Sequence, residues 1–428
     1  MQATTAIPLL LALTVGLAAA PAQAQLTLAE VYDLARSRSP RLRAASALVE
    51  AAAAREPGAG QPADPTLQVG VMNLSLPGLR SDMPTTMVPA IQGMQMLPWP
   101  GKLGLTRRVA QQETGAAQFD AEEAWWEVRS RAAMAFYDLH EADHHLIVMR
   151  ETLQLLQDLE RVAKVMYGAG EGGQSDVLRA GVEVARMEAD IVRMEAMRRA
   201  AAARLNGVLD RPTDTPVPFP ELPPLPLDVP SGDTLRTWAD ETRPMLGTGR
   251  TRVEQADTRG ALARKELWPD PVIGMQYGQR PGDAGTERMV SAMVGFSLPV
   301  FARSRQLKMR AEAEAMRAMA RADLAEMRAG VHARLGELLA ELDRTRTLVT
   351  LYRSEVLPQA RANAASAFSS YRVGNVDFMT LVDAQMDVNA YEQELHSLLA
   401  DYGRFLAELE MTIGRALPRT ERTLAETP

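Results

Sequence analysis

The residues best suited to chemistry lie in His140-Glu141-Ala142-Asp143-His144, which fits the H-E-x-x-H pattern of zinc proteases. Two histidines one helical turn apart can share a zinc ion, but catalysis also needs a third ligand and an open cleft. The segment lies midway along a predicted heptad rod, with Ala142 at a seam position. We therefore predict a solvated helix face and no protease. The remaining histidines are His145, His332 and His396.

Methionine is the second residue type with relevant chemistry, because its thioether is a ligand for soft ions such as Cu(I). The chain has 23 methionines. One group of them is close together in sequence: Met72, Met83, Met87, Met94 and Met96. Most methionines fill gaps in apolar cores. We predict no resident metal and no cofactor, and keep contact with a passing metal ion as the alternative.

Composition removes several further classes of function. The chain has 428 residues and no cysteine, which excludes disulfides, thiolate metal sites and cysteine nucleophiles. It contains no Gly-rich phosphate loop and no G-x-S-x-G motif, so we predict no enzyme and no catalytic residues. With 47 Lys and Arg against 54 Asp and Glu, the net charge of −7 argues against a nucleic-acid partner.

The first 24 residues resemble an export signal. Residues 7–20 form an apolar core (IPLLLALTVGLAAA), and Ala22-Gln23-Ala24 is a small-x-small site with cleavage expected after Ala24. The preceding MQATTA carries no basic residue, and a buried N-terminal helix is the alternative. Beyond residue 24 there is no uncharged apolar run of 18 residues, so no transmembrane helix is predicted. We expect the mature chain in the periplasm or beyond.

The rest of the chain is one unit written twice, with landmarks that recur at shifts of 201 to 206 residues. The matched landmarks are Ser39-Pro40 with Arg243-Pro244, Asp64-Pro65 with Asp270-Pro271, Leu97-Pro98 with Leu298-Pro299, and Tyr167 with Tyr371. The predicted domains are a signal peptide (1–24), a first repeat (25–211), a Pro-rich extended linker (212–230), a second repeat (231–415) and a C-terminal tail (416–428).

Each repeat shows the same order of elements: helix, two strands, a very long helix, a tight turn and a last helix. The predicted helices are 27–57, 101–166 and 174–209, then 232–267, 303–369 and 376–415. The predicted strands are 64–74 and 88–97, then 270–278 and 289–299. The fold class is therefore mixed but mainly helical.

The long helices carry coiled-coil periodicity, with apolar residues alternately three and four apart. At 1.5 Å per residue, roughly 65 residues form a rod of about 100 Å. The first and last helices of a repeat have a summed length near that of the long helix. We therefore expect two short helices, stacked end to end, to line each long one.

The strands alternate apolar residues with small or polar ones, as in Val290, Val294 and Phe296 against Ser291 and Gly295. Period-2 segments of about ten residues are typical of transmembrane β-barrels. An ordinary half-buried sheet gives the same pattern, but such long helices could not cover it. Because a membrane barrel needs at least eight strands, four per chain require several chains to share it: two give eight and three give twelve.

The duplicated order of elements resembles the outer membrane factors of the TolC family. The residues that carry the resemblance are the opening LTLAEVYDLARSRSPRLRAASALVEAA, LPWPGK after the second strand, and the turns YGAGEGGQSDVL and YRVGNVDFMTLVDA. The resemblance implies a homotrimer with a shared 12-stranded barrel in the outer membrane and a helical periplasmic extension. It also implies a passive exit duct that works with a periplasmic adaptor and an inner-membrane pump.

The resemblance further implies roles for the two turns. They would form the periplasmic tip, with adaptor docking at Ala169, Gly170, Val373 and Gly374. The constricting aspartate maps to Asp383, with Asp176 as the acidic position of the other repeat, and the locking tyrosine maps to Tyr371.

Two positions depart from the pattern of the family: Thr380 replaces the second ring residue, and Val376 replaces the basic locking residue. Arg372 is the candidate substitute for the partner of Tyr371. A solvated helix face or a helix N-cap remains the alternative for both aspartates.

The sequence is also compatible with two other functions: a periplasmic coiled-coil adaptor, and the outer membrane component of type I protein secretion. Against the adaptor, the chain has two long helical hairpins rather than one flanked by small β-domains. The sequence does not identify the exported substrate. LPWPGK and the methionine content favour heavy-metal efflux.

Overall fold

The computed structural model describes residues 25–74, 85–282, 285–418 and 423–424. The predicted signal peptide, Met83 and most of the C-terminal tail lie outside the described residues.

The first repeat contains α1 (Leu28–Arg38), α2 (Pro40–Ala59), β1 (Thr66–Met72), β2 (Met87–Met96), α3 (Lys102–Ala169) and α4 (Gln174–Val208). The second contains α5 (Gly232–Thr242), α6 (Pro244–Lys265), β3 (Pro271–Gly282), β4 (Gly285–Phe296), α7 (Gln306–Leu351), a π-helical turn (Tyr352–Val356), α8 (Leu357–Arg372) and α9 (Phe378–Ile413). The described part of the chain is thus mainly helical with four strands, as predicted.

Three predicted helices are interrupted. The helices expected at 27–57 and 232–267 break at Ser39 and Arg243, whose ψ angles of 121° and 117° are extended. Each residue precedes a proline, which disfavours helical backbone one position earlier. The helix expected at 303–369 instead passes through the π turn directly ahead of Pro358, which has no N–H to continue the ladder.

The four strands form one antiparallel sheet in the order β1-β2-β3-β4. The two repeats join through β2 and β3, where Gln92 lies opposite Gln276. β2 is well paired although its sequence alternates poorly. Within the described residues, β1 and β4 each have one edge with no strand beside it.

The short helices line the long ones, as their lengths predict. α2 and α4 both pack against α3, and α6 and α9 both pack against α7. α3 also packs against α6 and α9, which fastens the two repeats together. No helix of the described residues is long and apolar enough to cross a membrane.

The helices enclose two separate apolar cores. We call the larger one the belt core; its members include Phe136, Leu139, Leu205, Leu235, Leu338 and Tyr402. We call the smaller one the tip core; its members include Leu156, Leu159, Tyr371, Phe378, Leu381 and Val388. The tip core lies where α3 and α8 end and where α4 and α9 begin.

Residues 212–230 contain no helix and follow the surface of the belt core. Val217 and Leu225 are buried in that core. The N–H of Leu26 donates to the carbonyl of Phe219 over 3.0 Å, and the N–H of Glu221 donates back to Leu26 over 3.0 Å.

Candidate functional site: the turns of the helical tip

The turn between α3 and α4 closes on a left-handed glycine. Gly170 has φ +78°, a conformation that costs any residue with a Cβ atom. The N–H of Glu171 donates to the carbonyl of Met166 over 2.9 Å, and that of Gly170 donates to Tyr167 over 3.1 Å. This pair of bonds is the Schellman motif, which satisfies the last carbonyls of α3.

The turn between α8 and α9 has the same closure. Gly374 has φ +72°, the N–H of Asn375 donates to the carbonyl of Ser370 over 3.0 Å, and that of Gly374 donates to Tyr371 over 3.0 Å. A Cβ atom at Gly170 or Gly374 would meet no atom within 4 Å. Both glycines therefore end a helix in open space. The two repeats share even the individual hydrogen bonds of these turns.

The predicted docking residues are all exposed. Ala169 and Gly170 end one helical hairpin, and Val373 and Gly374 end the other, with Val373 69% exposed. Sequence reasoning did not predict the exposure of several apolar neighbours: Val165, Tyr167, Leu178 and Val182. Together these side chains give the tip an apolar surface. Monomeric proteins rarely expose such patches without a partner.

Tyr371 does not lie on that surface. It is only 4% exposed, within the tip core, and its ring meets Phe378 edge-on at 5.6 Å between centroids. Burial raises the pKa of the Tyr371 hydroxyl, and the nearby Asp176 carboxylate raises that pKa further. Asp176 therefore lies close enough for its charge to act on Tyr371. Arg372, its expected partner, is exposed.

The two aspartates occupy different environments. Asp176 lies half-buried in the first turn of α4, where it accepts from Ser175 Oγ at 3.3 Å. Asp383 is exposed in the second turn of α9.

Neither aspartate is a helix N-cap, because those positions are Gly173 and Asp377. Asp377 accepts from the backbone N–H and the hydroxyl of Thr380, which lowers the pKa of Asp377. The N-cap alternative for Asp176 and Asp383 is therefore wrong.

The prediction of a solvated face for His140–His144 is also wrong. His140 and Asp143 are buried in the belt, because this face of α3 packs against α9 and residues 212–230. Glu141 accepts from Ser397 Oγ at 2.7 Å and from the Arg404 guanidinium at 2.9 Å, so it is not free to act as a base. Within the described ranges, no group of three or more His, Asp or Glu side chains is arranged to hold a metal ion.

The histidines of this motif instead form a stack with a distant one, which we call the histidine stack: His140, His144 and His396. The ring of His144 stacks on that of His396, with 4.2 Å between centroids and 14° between planes, and is tilted by 56° against that of His140 at 4.4 Å. Burial, followed by the neighbouring imidazoles, lowers the pKa of His144 to about 3 and that of His396 to about 4. Burial also lowers the pKa of His140. The stack is therefore neutral at pH 7.

LPWPGK fastens the sheet to the helices. The Trp99 ring stacks on that of Trp268 of the other repeat, with 5.2 Å between centroids. The backbone N–H of Trp99 donates to Asp270 Oδ1 over 2.6 Å. The buried Lys102 ammonium pairs with the same Asp270 carboxylate at 2.9 Å, and Gly101 provides the turn with φ +89°. These contacts explain the motif structurally, so it gives no support for a metal substrate.

Several solved structures share this fold, among them those of outer membrane proteins. A membrane protein from Pseudomonas aeruginosa matches with a TM-score of 0.77 at 19% identity over 90% of this chain and 93% of that one. VceC of Vibrio cholerae, an outer membrane protein, matches with 0.75 at 16% over 91% and 96%. CusC matches with 0.77 at 15% over 91% and 92%. A search of curated protein sequences gave no significant match.

Residues 237–415, which span most of the second repeat, match the family model described as outer membrane efflux protein. The second repeat of the chain is therefore similar to outer membrane efflux proteins, and the whole duplicated fold is similar to the solved structures above.

Proposed function

We propose that the chain is the outer membrane exit duct of a tripartite efflux system and that exported substrates pass through it passively. The observation that carries this proposal is the combination of a duplicated helical shaft with a four-stranded sheet whose two edges are open. Unpaired backbone groups cannot face lipid, so the sheet must be completed by other copies of the chain. Three copies give twelve strands, as in the homotrimer expected from the resemblance.

The two faces of the sheet support this assembly. Paired residues across the strands share a face, and one face carries Leu67, Val69, Ile273, Val290 and Val294, all well exposed. The opposite face carries Gln68, Gln92, Gln276 and Ser291. In a closed barrel, the apolar face would contact outer membrane lipid and the polar face would line the duct.

The tip is the proposed contact for the rest of the system. Ala169, Gly170, Val373 and Gly374 would receive a periplasmic adaptor that couples the duct to an inner-membrane pump. The open space around both glycines leaves room for a partner backbone to approach closely.

Asp383 is the proposed constriction residue, with Asp176 and Tyr371 behind it. Its exposed carboxylate would form a ring of three in a trimer, and rings of carboxylates in a narrow pore select and bind cations. Buried Tyr371 would hold α8 against α9 and so set the position of the ring.

Purification from membrane fractions tests the proposal. We expect the protein in the outer membrane fraction, extracted by detergent as a particle of about three chains by light scattering. A soluble monomer in the periplasm would contradict the duct and would favour an adaptor instead.

A further inference from the structure

The methionines of the sheet are segregated by face. Six of the seven methionines in the four strands lie on the polar face, by the pairing of the strands and the contacts of their side chains. These six are Met72, Met87, Met94, Met96, Met289 and Met293. Only Met275 lies on the apolar face. Side chains needed merely as apolar surface would be expected on the lipid side.

Glycines of β3 hold these thioethers close to the sheet. The Met87 sulfur lies 2.7 Å from the position of a Cβ atom on Gly278, and the Met293 sulfur lies 3.2 Å from that position on Gly274. Met94 approaches the same point of Gly274 from the opposite strand. The methionines of β2 and β4 therefore lie over β3 in the space that its glycines leave.

A buried amide marks the point where two sulfurs converge. Gln276 Nε2 lies 2.8 Å from Met72 Sδ and 3.6 Å from Met87 Sδ. Gln92 Nε2 lies 3.5 Å from Met293 Sδ in the same way. Thioethers are weak hydrogen-bond acceptors but good ligands for soft cations. A soft cation in the place of the amide would be bound by both Met72 and Met87.

We propose that this face binds soft monovalent cations, Cu(I) or Ag(I), through the thioethers of Met72 and Met87, with Met94 and Met293 forming a second pair. The inference rests on the proposed function, because it takes the polar face as the lining of the duct. Several weak sites in sequence suit passage better than one tight site, since an ion must leave as readily as it enters.

The test uses Ag(I), which needs no reductant, on the detergent-purified full chain. We expect silver binding by calorimetry, at least ten-fold weaker in the double variant Met72→Leu/Met87→Leu and unchanged in the control Met275→Leu. Silver held by histidines or by methionines elsewhere is common to the double variant and the control, so the difference between the two reports binding by Met72 and Met87. Equal binding by the double variant and the control would overturn the inference.

Planar bilayer recordings separate this inference from the proposed function. We expect K⁺ current from the wild type and from both variants, with micromolar Ag(I) reducing only the currents of the wild type and Met275→Leu. No K⁺ current at all would refute the duct. A normal K⁺ current that Ag(I) leaves unchanged in the wild type would refute the soft-cation site alone. The retained K⁺ current of the double variant also serves as its test of folding.

Discussion

The belt and the tip are built from the same helices but are held together differently. In the belt, charged side chains are buried between elements of both repeats, as in the pair of Arg243 (8% exposed) with Glu123 (13% exposed) at 2.6 Å. Arg404 likewise joins α9 to Asp138 and Glu141 of α3. The tip core is mainly apolar, and the interhelical pair Arg361–Glu392 beside it has an exposed arginine.

This difference indicates which region of the protein can change its conformation. Moving the helices of the belt would leave buried charges and carbonyls without partners, which is costly. Moving the helices of the tip would exchange apolar contacts and expose little that is polar. Regions with exposed turns and small cores belong to the low-stability end of a protein. We therefore place any gating motion at the tip and expect the belt to act as the fixed collar.

The largest expected difference between the two regions is in the loss of stability when an arginine of each is replaced by alanine. Arg243→Ala leaves the Glu123 carboxylate buried without its partner and removes a bond to the carbonyl of Met411, and we expect a loss of about 3 kcal/mol. Arg361→Ala removes an exposed pair and should cost about 0.5 kcal/mol or less. Thermal unfolding of both purified variants checks this. Equal losses would remove the distinction between belt and tip.

The histidine stack predicts that acid weakens the belt. Its imidazoles are neutral in the folded protein, whereas the unfolded chain binds protons below a pKa near 6.5, so stability falls as pH drops below that value. Between pH 6.5 and 5, His144 and His396 each contribute a loss of about 2 kcal/mol, at 1.36 kcal/mol per pKa unit. The negative charges of Asp143 and Glu141 raise the pKa of His140 and so partly offset the effect of burial. The positive charge of Arg353 lowers the pKa of His396 further.

Thermal midpoints at pH 7.5 and pH 5 measure this effect. We expect His144→Gln to reduce the difference between the two midpoints. His332→Gln is the matched control, because His332 lies outside the stack, against Asp240, and its removal should not reduce the difference. A pH dependence that is identical in the wild type and His144→Gln would contradict the role of the stack.

At the tip turn the expected effect on stability is modest, whereas the effect on function should be large. Gly374→Trp and Gly374→Ala impose the same backbone strain of about 1 to 2 kcal/mol, because both add a Cβ atom at positive φ. Only tryptophan adds bulk, in space that is open in this chain. We expect Gly374→Trp to sensitise cells to compounds that the chain exports, at unchanged protein level, and Gly374→Ala to export almost normally. Normal export by the tryptophan variant would refute docking there.

Much of the fold could be predicted because it is periodic. Heptads predicted the long helices to within a few residues, and alternation predicted β1, β3 and β4. β2 was also predicted, although its residues alternate poorly. The breaks at Ser39 and Arg243 were missed although each precedes a proline. The register between β2 and β3 could not be read, since it depends on contacts between repeats about 180 residues apart.

The site was less predictable than the fold. Equivalent sequence positions gave Gly170 and Gly374 their shared backbone, but not the different burial of Tyr167 (49% exposed) and Tyr371. The burial of His140 was missed because a heptad seam describes one neighbour, whereas α3 packs against several elements at once. His396 joins the stack from more than 250 residues away, and no local pattern reports such a meeting.

Single-channel recording in planar bilayers most directly tests the central claim, which is that the chain is a duct with its constriction at the tip. We expect the purified protein to form discrete cation-selective channels that divalent cations block. Asp383→Ala should weaken that block, because it removes an exposed carboxylate from each copy at the proposed constriction. Channels whose divalent block is the same in the wild type and Asp383→Ala would contradict the assignment of the constriction, and a complete absence of channels would contradict the duct.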